Sequence, residues 1–116
     1  FTLHLPERPF RAIKKGIKKI EGRSPHSKDN KYEKMRSGDT LIFEHEETGE
    51  NLETKILFVH HYPDVKAMLL AEGIENVLSS EPKTIEHGIE SYNSISDYKE
   101  RILKFGIYAI GVKPIK

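Results

Sequence analysis

Three charged residues that could do chemistry lie close together in the sequence: Lys18, Glu21 and Arg23. An arginine guanidinium binds a phosphate or a carboxylate with its planar fork of donors, and a lysine supplies a point charge or, with a lowered pKa, a base. A glutamate orients the arginine or accepts a hydrogen bond from the amino group of a nucleobase. These residue types could form a site for a nucleotide-like ligand, although they do not by themselves favour one. The alternative interpretation is structural, with Glu21 and Arg23 pairing across the rim of a barrel.

The segment that carries these residues predicts a β-strand over positions 18–23. Side chains alternate in a strand, so Lys19, Glu21 and Arg23 are predicted to share one face while Lys18 lies on the other. Lys18 can join the site only if the chain bends near Gly16, and we expect such a bend. Lys19 is then a further candidate for ligand binding.

Basic and acidic residues are segregated along the chain, although the formal net charge is only +1. Residues 1–36 hold eleven Lys/Arg and four Asp/Glu, residues 37–100 hold four and fourteen, and the remaining residues hold four and none. If this segregation persists in space, the basic part attracts phosphates, as a nucleic-acid-binding surface does. The alternative is that surface ion pairs neutralise the opposite charges.

Residue types also exclude or disfavour several classes of site. The chain has no cysteine, which rules out disulfides, thiolate metal sites and thiol nucleophiles. Its six histidines lack the spacing of metal ligands: His60 and His61 are adjacent, so they point to opposite faces of a strand. There is no glycine-rich phosphate loop. We therefore predict neither a metal site nor a cofactor.

The order of the predicted elements favours a mixed β-barrel decorated by short helices, an α+β fold in one domain of residues 1–116. The longest apolar runs are far shorter than the ~20 residues that a membrane span needs, so we expect a cytoplasmic protein without a membrane segment. The second hairpin strand is expected to be buried on both sides in its latter half. The predicted elements, in order, are a strand at 1–5, a helix whose inner face carries Phe10, Ile13 and Ile17, the strand at 18–23, a mobile loop at 24–34, a hairpin of strands at 40–45 and 52–62, several helices between 63 and 102, and a strand at 106–115.

A family resemblance supports this fold. The segment Gly16–Arg23 has the pattern G-x-K-x-x-E-x-R, and it is followed by the turn Ser37–Asp39 and an apolar strand. Together with the order of elements, this pattern resembles the signature of the ASCH domain family, and Ala71–Leu78 resembles a small archaeal-type subgroup of it. The resemblance spans nearly the whole chain. It implies a PUA-like barrel that binds RNA or a nucleotide-like ligand such as a modified nucleoside.

The resemblance also implies an alternative, enzymatic role. The family includes members that resemble ribonucleases and amidohydrolases that deacylate 4-acetylcytidine. In the amidohydrolases a lysine matching Lys18 and a threonine at the position of Glu21 are catalytic. The glutamate in this chain argues against threonine-dependent deacylation, whereas Lys18 and Glu21 could still act together in acid–base catalysis by a ribonuclease or an amidohydrolase.

The family places polar cleft residues at the end of a helix where this chain has Tyr92 and Ser94. Tyr92 could stack on a base, and Ser94 could contact the ligand through its hydroxyl. The alternative for Tyr92 is core packing beside Ile85 and Ile89. The predicted ligand-binding residues are Lys18, Lys19, Glu21, Arg23, Tyr92 and Ser94.

Overall fold

The structure, a computed structural model, describes residues 1–115 of the chain. Within them it contains five β-strands and five α-helices. The strands are β1 (Thr2–Leu5), β2 (Ile20–Arg23), β3 (Thr40–His45), β4 (Asn51–Tyr62) and β5 (Ile107–Pro114). The helices are α1 (Glu7–Lys14), α2 (Val65–Glu72), α3 (Ile74–Val77), α4 (Ile85–Asn93) and α5 (Tyr98–Phe105), and a 3₁₀ helix covers Lys31–Lys34. None of these helices is long and apolar enough to cross a membrane.

All five strands form one curled sheet in the order β1-β3-β4-β5-β2. β1 pairs with β3 in parallel, and every other neighbouring pair is antiparallel. β1 and β2 are therefore the two edges of the sheet, and we call the gap between these edges the seam. The predicted α+β fold, a mixed barrel decorated by short helices, is confirmed in the form of a half-barrel.

β5 lies between two hydrophobic cores, and its side chains alternate between them. Tyr108 and Ile110 contribute to a core formed with α1, β1, β3 and β4. Ile107 and Ala109 contribute to a second core formed with β2 and with α2 to α5. Burial of both faces explains why this strand carries almost no polar residue before Lys113.

β2 begins later than predicted, because the chain between α1 and β2 is not extended. α1 ends at Lys14, and the amides of Ile17 and Lys18 both donate to the carbonyl of Ala12. Gly16 has a φ of 79°, in the left-handed region that glycine tolerates best. The expected bend near Gly16 is confirmed. The prediction that Ile17 lies on the inner face of the helix is wrong, since Ile17 is 53% exposed.

The latter half of β4 also differs from the prediction. A bulge between Ile56 and Phe58 interrupts its pairing with β5, and Leu57 is exposed. The expectation of burial on both sides is therefore wrong for this segment. The ring of Phe58 packs where a Cβ on Gly111 would stand, so the small residue on β5 makes room for it.

The predicted loop at 24–34 contains more structure than its sequence suggested. Its last residues form the 3₁₀ helix, which is capped because the side chain of Asn30 accepts a hydrogen bond from the amide of Tyr32. At the other end, the guanidinium of Arg101 donates to the carbonyl of Ser24. This hydrogen bond thus ties the start of the segment, directly after β2, to α5.

Candidate functional site

A cleft of about 760 Å³ opens at the seam. It is lined by both edge strands, by the loop between α3 and α4, and by parts of α4 and α5. We call it the seam cleft. Five of the six predicted site residues line it: Lys18, Glu21, Arg23, Tyr92 and Ser94.

Three charged side chains are joined in the buried wall of the cleft, with Glu21 at the centre. Nε of Arg23 donates to Oε2 of Glu21 at 2.6 Å, and Nζ of Lys18 lies 3.6 Å from Oε1. Lys18 also donates to the backbone carbonyl of Val77. Lys18 is 4% exposed and Glu21 is 6% exposed. We call Lys18, Glu21 and Arg23 the charged trio.

The path of the chain explains how the trio assembles. Lys18 lies in the turn after α1, outside β2, so the alternation of a strand does not direct it away from Glu21. Glu21 and Arg23 lie two residues apart within β2, where alternation puts them on one face. The prediction for this pair is confirmed, and the bend at Gly16 supplies the third member.

Burial and opposite charge compete in setting the proton affinities of the trio. Desolvation lowers the pKa of Lys18, because burial penalises the ammonium more than the nearby carboxylate of Glu21 stabilises it. Desolvation acts in the same direction on Arg23, but there the attraction and the hydrogen bond of Glu21 prevail and raise the pKa of the guanidinium. Of the two cations, Lys18 is therefore the one that can release a proton.

Arg23 also bridges the seam. Its Nη2 donates to the carbonyl of His4 on β1 at 2.7 Å, while its Nε is bonded to Glu21 on β2. The guanidinium thus joins two strands that share no backbone pairing. The Glu21–Arg23 pair forms as the structural interpretation predicts, yet a guanidinium has five N–H donors, and these two bonds leave others for a ligand.

Tyr92 packs tightly against β2 because residue 22 is a glycine. A Cβ on Gly22 would overlap the hydroxyl of Tyr92 and would lie 3.2 Å from Cε of Met68. Tyr92 is mostly buried and belongs to the core with α2 and α5. Burial raises the pKa of its phenol, so the hydroxyl stays protonated at neutral pH. Tyr92 therefore packs in the core, as the alternative interpretation held, and also forms part of the cleft wall.

The cleft lining as a whole, including the charged trio, is rich in cations. Its charged residues comprise five lysines and arginines and two glutamates. Arg8 and Lys31 are exposed, and neither lies within ion-pair distance of a carboxylate in residues 1–115. Arg101 differs, because its guanidinium lies 4.5 Å from the ring centroid of Tyr98 and is bonded to the backbone of Ser24. Arg8 and Lys31 are thus the cations most accessible to an anionic ligand.

Lys19 is the predicted site residue that the structure places elsewhere. Its side chain is exposed and does not line the seam cleft. Its backbone instead connects two neighbours, since its amide donates to Asn76 and its carbonyl accepts from Val112. The prediction assumed a strand that already included Lys19, whereas β2 begins at Ile20.

Two cations of α1, Arg11 and Lys14, form ion pairs, as the alternative interpretation of the charge segregation predicts. Glu50 lies 2.9 Å from Nη1 of Arg11 and 2.5 Å from Nζ of Lys14, and Glu7 lies 3.4 Å from Nε of Arg11. We call these four residues the surface quartet. A hydrogen bond from His45 lowers the pKa of Glu7, and one from Lys14 lowers that of Glu50.

The structure also forms one polar cluster at the cleft that no sequence pattern predicted. Oγ of Ser80 lies 3.0 Å from Nε2 of His87, and Oγ of Ser91 lies 3.5 Å from the same atom. Ser80 and Ser91 line the cleft. His87 and Ser91 are four residues apart on α4, a spacing that places them on one helix face, but no local pattern indicated Ser80. Within the described residues, no three His, Asp or Glu side chains are placed to hold a metal ion.

Comparisons with known proteins place the chain among similar sequences and folds. The family model of the ASCH domain matches residues 3–116. The crystal structure of hypothetical protein PH0355 is similar with a TM-score of 0.82 and 40% identity, covering 98% of this chain and 97% of that one. The solution NMR structure of protein PF0455 from Pyrococcus furiosus is similar with a TM-score of 0.75 and 34% identity, covering 100% and 97%. No match was found among curated proteins.

Proposed function

Because the chain belongs to the ASCH domain family, which is generally linked to RNA binding, we propose that it binds RNA and holds one nucleoside of its ligand in the seam cleft. One observation carries the proposal. Lys18 and Glu21 are buried in the wall of a cleft whose lining has an excess of cations, and Arg23 lies partly buried beside them.

Stability alone does not account for the charged trio. Moving charged groups out of water is costly, and replacing a buried ion pair by apolar residues is often neutral or stabilising by about 1–4 kcal/mol. If these residues served only to pack the wall of the cleft, apolar residues in their place would make the fold equally or more stable. Buried and perturbed ionisable groups in a cleft are typical of functional sites.

The chemistry of the cleft fits a nucleotide unit. The carboxylate of Glu21 has acceptor positions beyond those used by its two neighbours, so it can accept from the amino group of a base. Lys18 has three N–H donors, of which one is directed to Val77 and one faces Glu21. Arg8 and Lys31, exposed at the same cleft, supply the charge that a phosphate requires. A modified nucleoside would be recognised by the same groups.

Binding of labelled single-stranded RNA, followed by fluorescence anisotropy at low and at physiological salt, tests the proposal. The double variant Arg8→Ala, Lys31→Ala is expected to bind about tenfold more weakly, and its log–log salt slope is expected to fall by about 1.4, because two phosphate contacts are lost. The matched control is Lys55→Ala, Lys66→Ala, which removes the same charge from exposed positions outside the cleft. The control should bind like the parent.

Arg23→Ala tests the trio itself. We expect it to lose RNA binding, and circular dichroism checks that the variant is folded. A folded Arg23→Ala variant with parental affinity, or equal effects in the Arg8→Ala, Lys31→Ala variant and its control, would remove the seam cleft from RNA binding.

A hydrolase acting on RNA or on an acylated nucleoside is the second candidate, and the lowered pKa of Lys18 favours it. A neutral amine beside Glu21 can take a proton from water or from a ribose hydroxyl. Mass spectrometry of RNA and acylated nucleosides after incubation tests this role. Product formation that Lys18→Met abolishes supports the hydrolase. A ligand that binds and stays chemically unchanged supports RNA binding without catalysis.

A further inference from the structure

A second cavity, of about 930 Å³, borders the same 3₁₀ helix as the seam cleft. Tyr32 lines both cavities, Lys31 lines only the seam cleft, and Glu33 lines only the second cavity. The 3₁₀ helix is thus a ridge between the two. We call the larger cavity the second cleft. It contains none of the charged trio, so it is a separate surface and not an extension of that site.

The charged residues of the second cleft favour an anionic ligand. Lys28, Arg36 and Lys104 line it, with Glu33 as the only carboxylate among its lining residues. Glu33 accepts a hydrogen bond from the hydroxyl of Tyr108 at 3.2 Å. In residues 1–115, neither Lys28 nor Lys104 lies within ion-pair distance of a carboxylate. These two cations are available to phosphates.

The second cleft also presents an exposed ring on a fixed support. His61 is exposed, and its ring centroid lies 4.7 Å from that of Tyr108. Its Nε2 donates to the carbonyl of Phe105 at 2.7 Å, which fixes the ring. Leu103, at the same cleft, is 81% exposed. A ring held in this way can stack on any of the four bases.

We propose that the second cleft binds the nucleotides next to the one in the seam cleft, so that single-stranded RNA crosses the 3₁₀ helix. This inference rests on the proposed RNA binding. Unpaired cations beside an exposed ring are what single-stranded nucleic acids use: phosphates contact the cations and bases stack on the ring.

The test compares a nucleoside monophosphate with a single-stranded RNA of about six nucleotides, a length within the range that small binding folds cover. Binding to both is measured for the parent, for Lys28→Ala, Lys104→Ala, and for His61→Ala. Lys55→Ala, Lys66→Ala is again the charge-matched control. We expect the RNA to bind at least tenfold more tightly than the monophosphate to the parent.

The second-cleft variants should affect only the longer ligand. Lys28→Ala, Lys104→Ala is expected to reduce RNA affinity about tenfold and the log–log salt slope by about 1.4. His61→Ala is expected to reduce RNA affinity at least fivefold, as loss of one stacked base does. Monophosphate affinity should stay at the parental value in both variants.

The outcomes separate the two proposals. If both ligands bind the parent but the second-cleft variants change neither affinity, RNA binding stands and the second cleft is not part of it. Second-cleft variants that weaken the monophosphate and the RNA equally would also contradict the inference. If neither ligand binds the parent, RNA binding in the seam cleft and this inference both fail, and a protein ligand becomes the explanation for the second cleft.

Discussion

The charged trio and the surface quartet contain the same kinds of residue, and burial alone makes them different. In the trio, Glu21 lies between two cations in the wall of a cleft, and two of its three members are almost inaccessible to water. In the quartet, Glu50 likewise lies between two cations, but all four side chains reach solvent. Proton affinities are shifted in both arrangements, but only the first encloses charge away from water.

This difference shows that the basic N-terminal third of the chain is not one functional surface. Arg11 and Lys14 both pair with Glu50 from the acidic part of the sequence, while Arg8 and Lys31 remain open beside the cleft. Charge counted along the sequence cannot separate these two groups. The following changes test whether burial is what distinguishes the trio from the quartet.

Removal of the central carboxylate of the trio is expected to have the largest effect. Glu21→Gln keeps the size of the side chain but leaves Lys18 and Arg23 without a counter-charge, so we expect the free energy of unfolding to fall by about 3–5 kcal/mol. Urea unfolding followed by circular dichroism measures this loss. A loss below about 1 kcal/mol would mean that the trio is solvated like an exposed pair.

Filling the space beside Gly22 should be the next most damaging change. Gly22→Ala puts a Cβ into the hydroxyl of Tyr92, and overpacking of this kind costs about 1–3 kcal/mol. Thermal unfolding of Gly22→Ala, with and without Tyr92→Phe, measures the effect. Removal of the hydroxyl should recover part of the lost stability. If the double variant is as unstable as the sum of the two single variants, the contact with Tyr92 is not the cause.

The two regions should respond to pH in different ranges. Lys18 has a lowered pKa, so the folded state binds its proton less well than the unfolded state does. The stability difference between the parent and Lys18→Met should therefore shift in favour of the parent as pH rises from the folded pKa towards about 10.4. Glu7 and Glu50 also have lowered pKa values, but as acids they contribute above about pH 4.3 and lose that contribution as pH falls.

Urea unfolding of the parent, Lys18→Met and Glu50→Gln across pH separates these contributions. The Lys18→Met difference should be constant in acid and change in alkali, and the Glu50→Gln difference should do the reverse. A Lys18→Met difference that is constant up to pH 10.4 would mean that burial does not lower the pKa of this lysine.

The smallest effect is expected in the surface quartet. Glu50→Gln removes the shared partner of Arg11 and Lys14, but these side chains are exposed and their attraction is screened by water and salt. The urea midpoint at neutral pH and physiological salt should fall only slightly below that of the parent. A decrease as large as that of Glu21→Gln would erase the distinction between the two regions.

The sequence predicted the parts of this molecule that depend on local patterns. The order of elements, the α+β barrel and the shared face of Glu21 and Arg23 follow from turn residues and from the alternation of strands, whereas the bend at Gly16 was expected so that Lys18 could reach the site. The error for Lys19 arose from the same rule, which was applied to two residues that precede the strand. Local rules are reliable only within correctly placed element boundaries.

The remaining features depend on contacts between distant segments, which no local pattern encodes. Arg101 is bonded to Ser24, 77 positions away, and the carbonyl that receives Lys18 belongs to Val77, 59 positions away. The pairing of Arg11 with Glu50 is likewise set by the packing of α1 against β3 and β4. Only the folded structure therefore shows which cations remain accessible to a ligand.

The position of β5 has a consequence for how the chain reaches its folded state. This strand comes after every other element in the described chain, yet it lies between β4 and β2 and contributes side chains to both cores. Neither core can close until residues 107–114 have left the ribosome, so nascent chains without them should expose apolar surface and need protection from aggregation. Folding of residues 1–115 is thus expected to be concerted, with β2 joining its edge of the sheet only through β5.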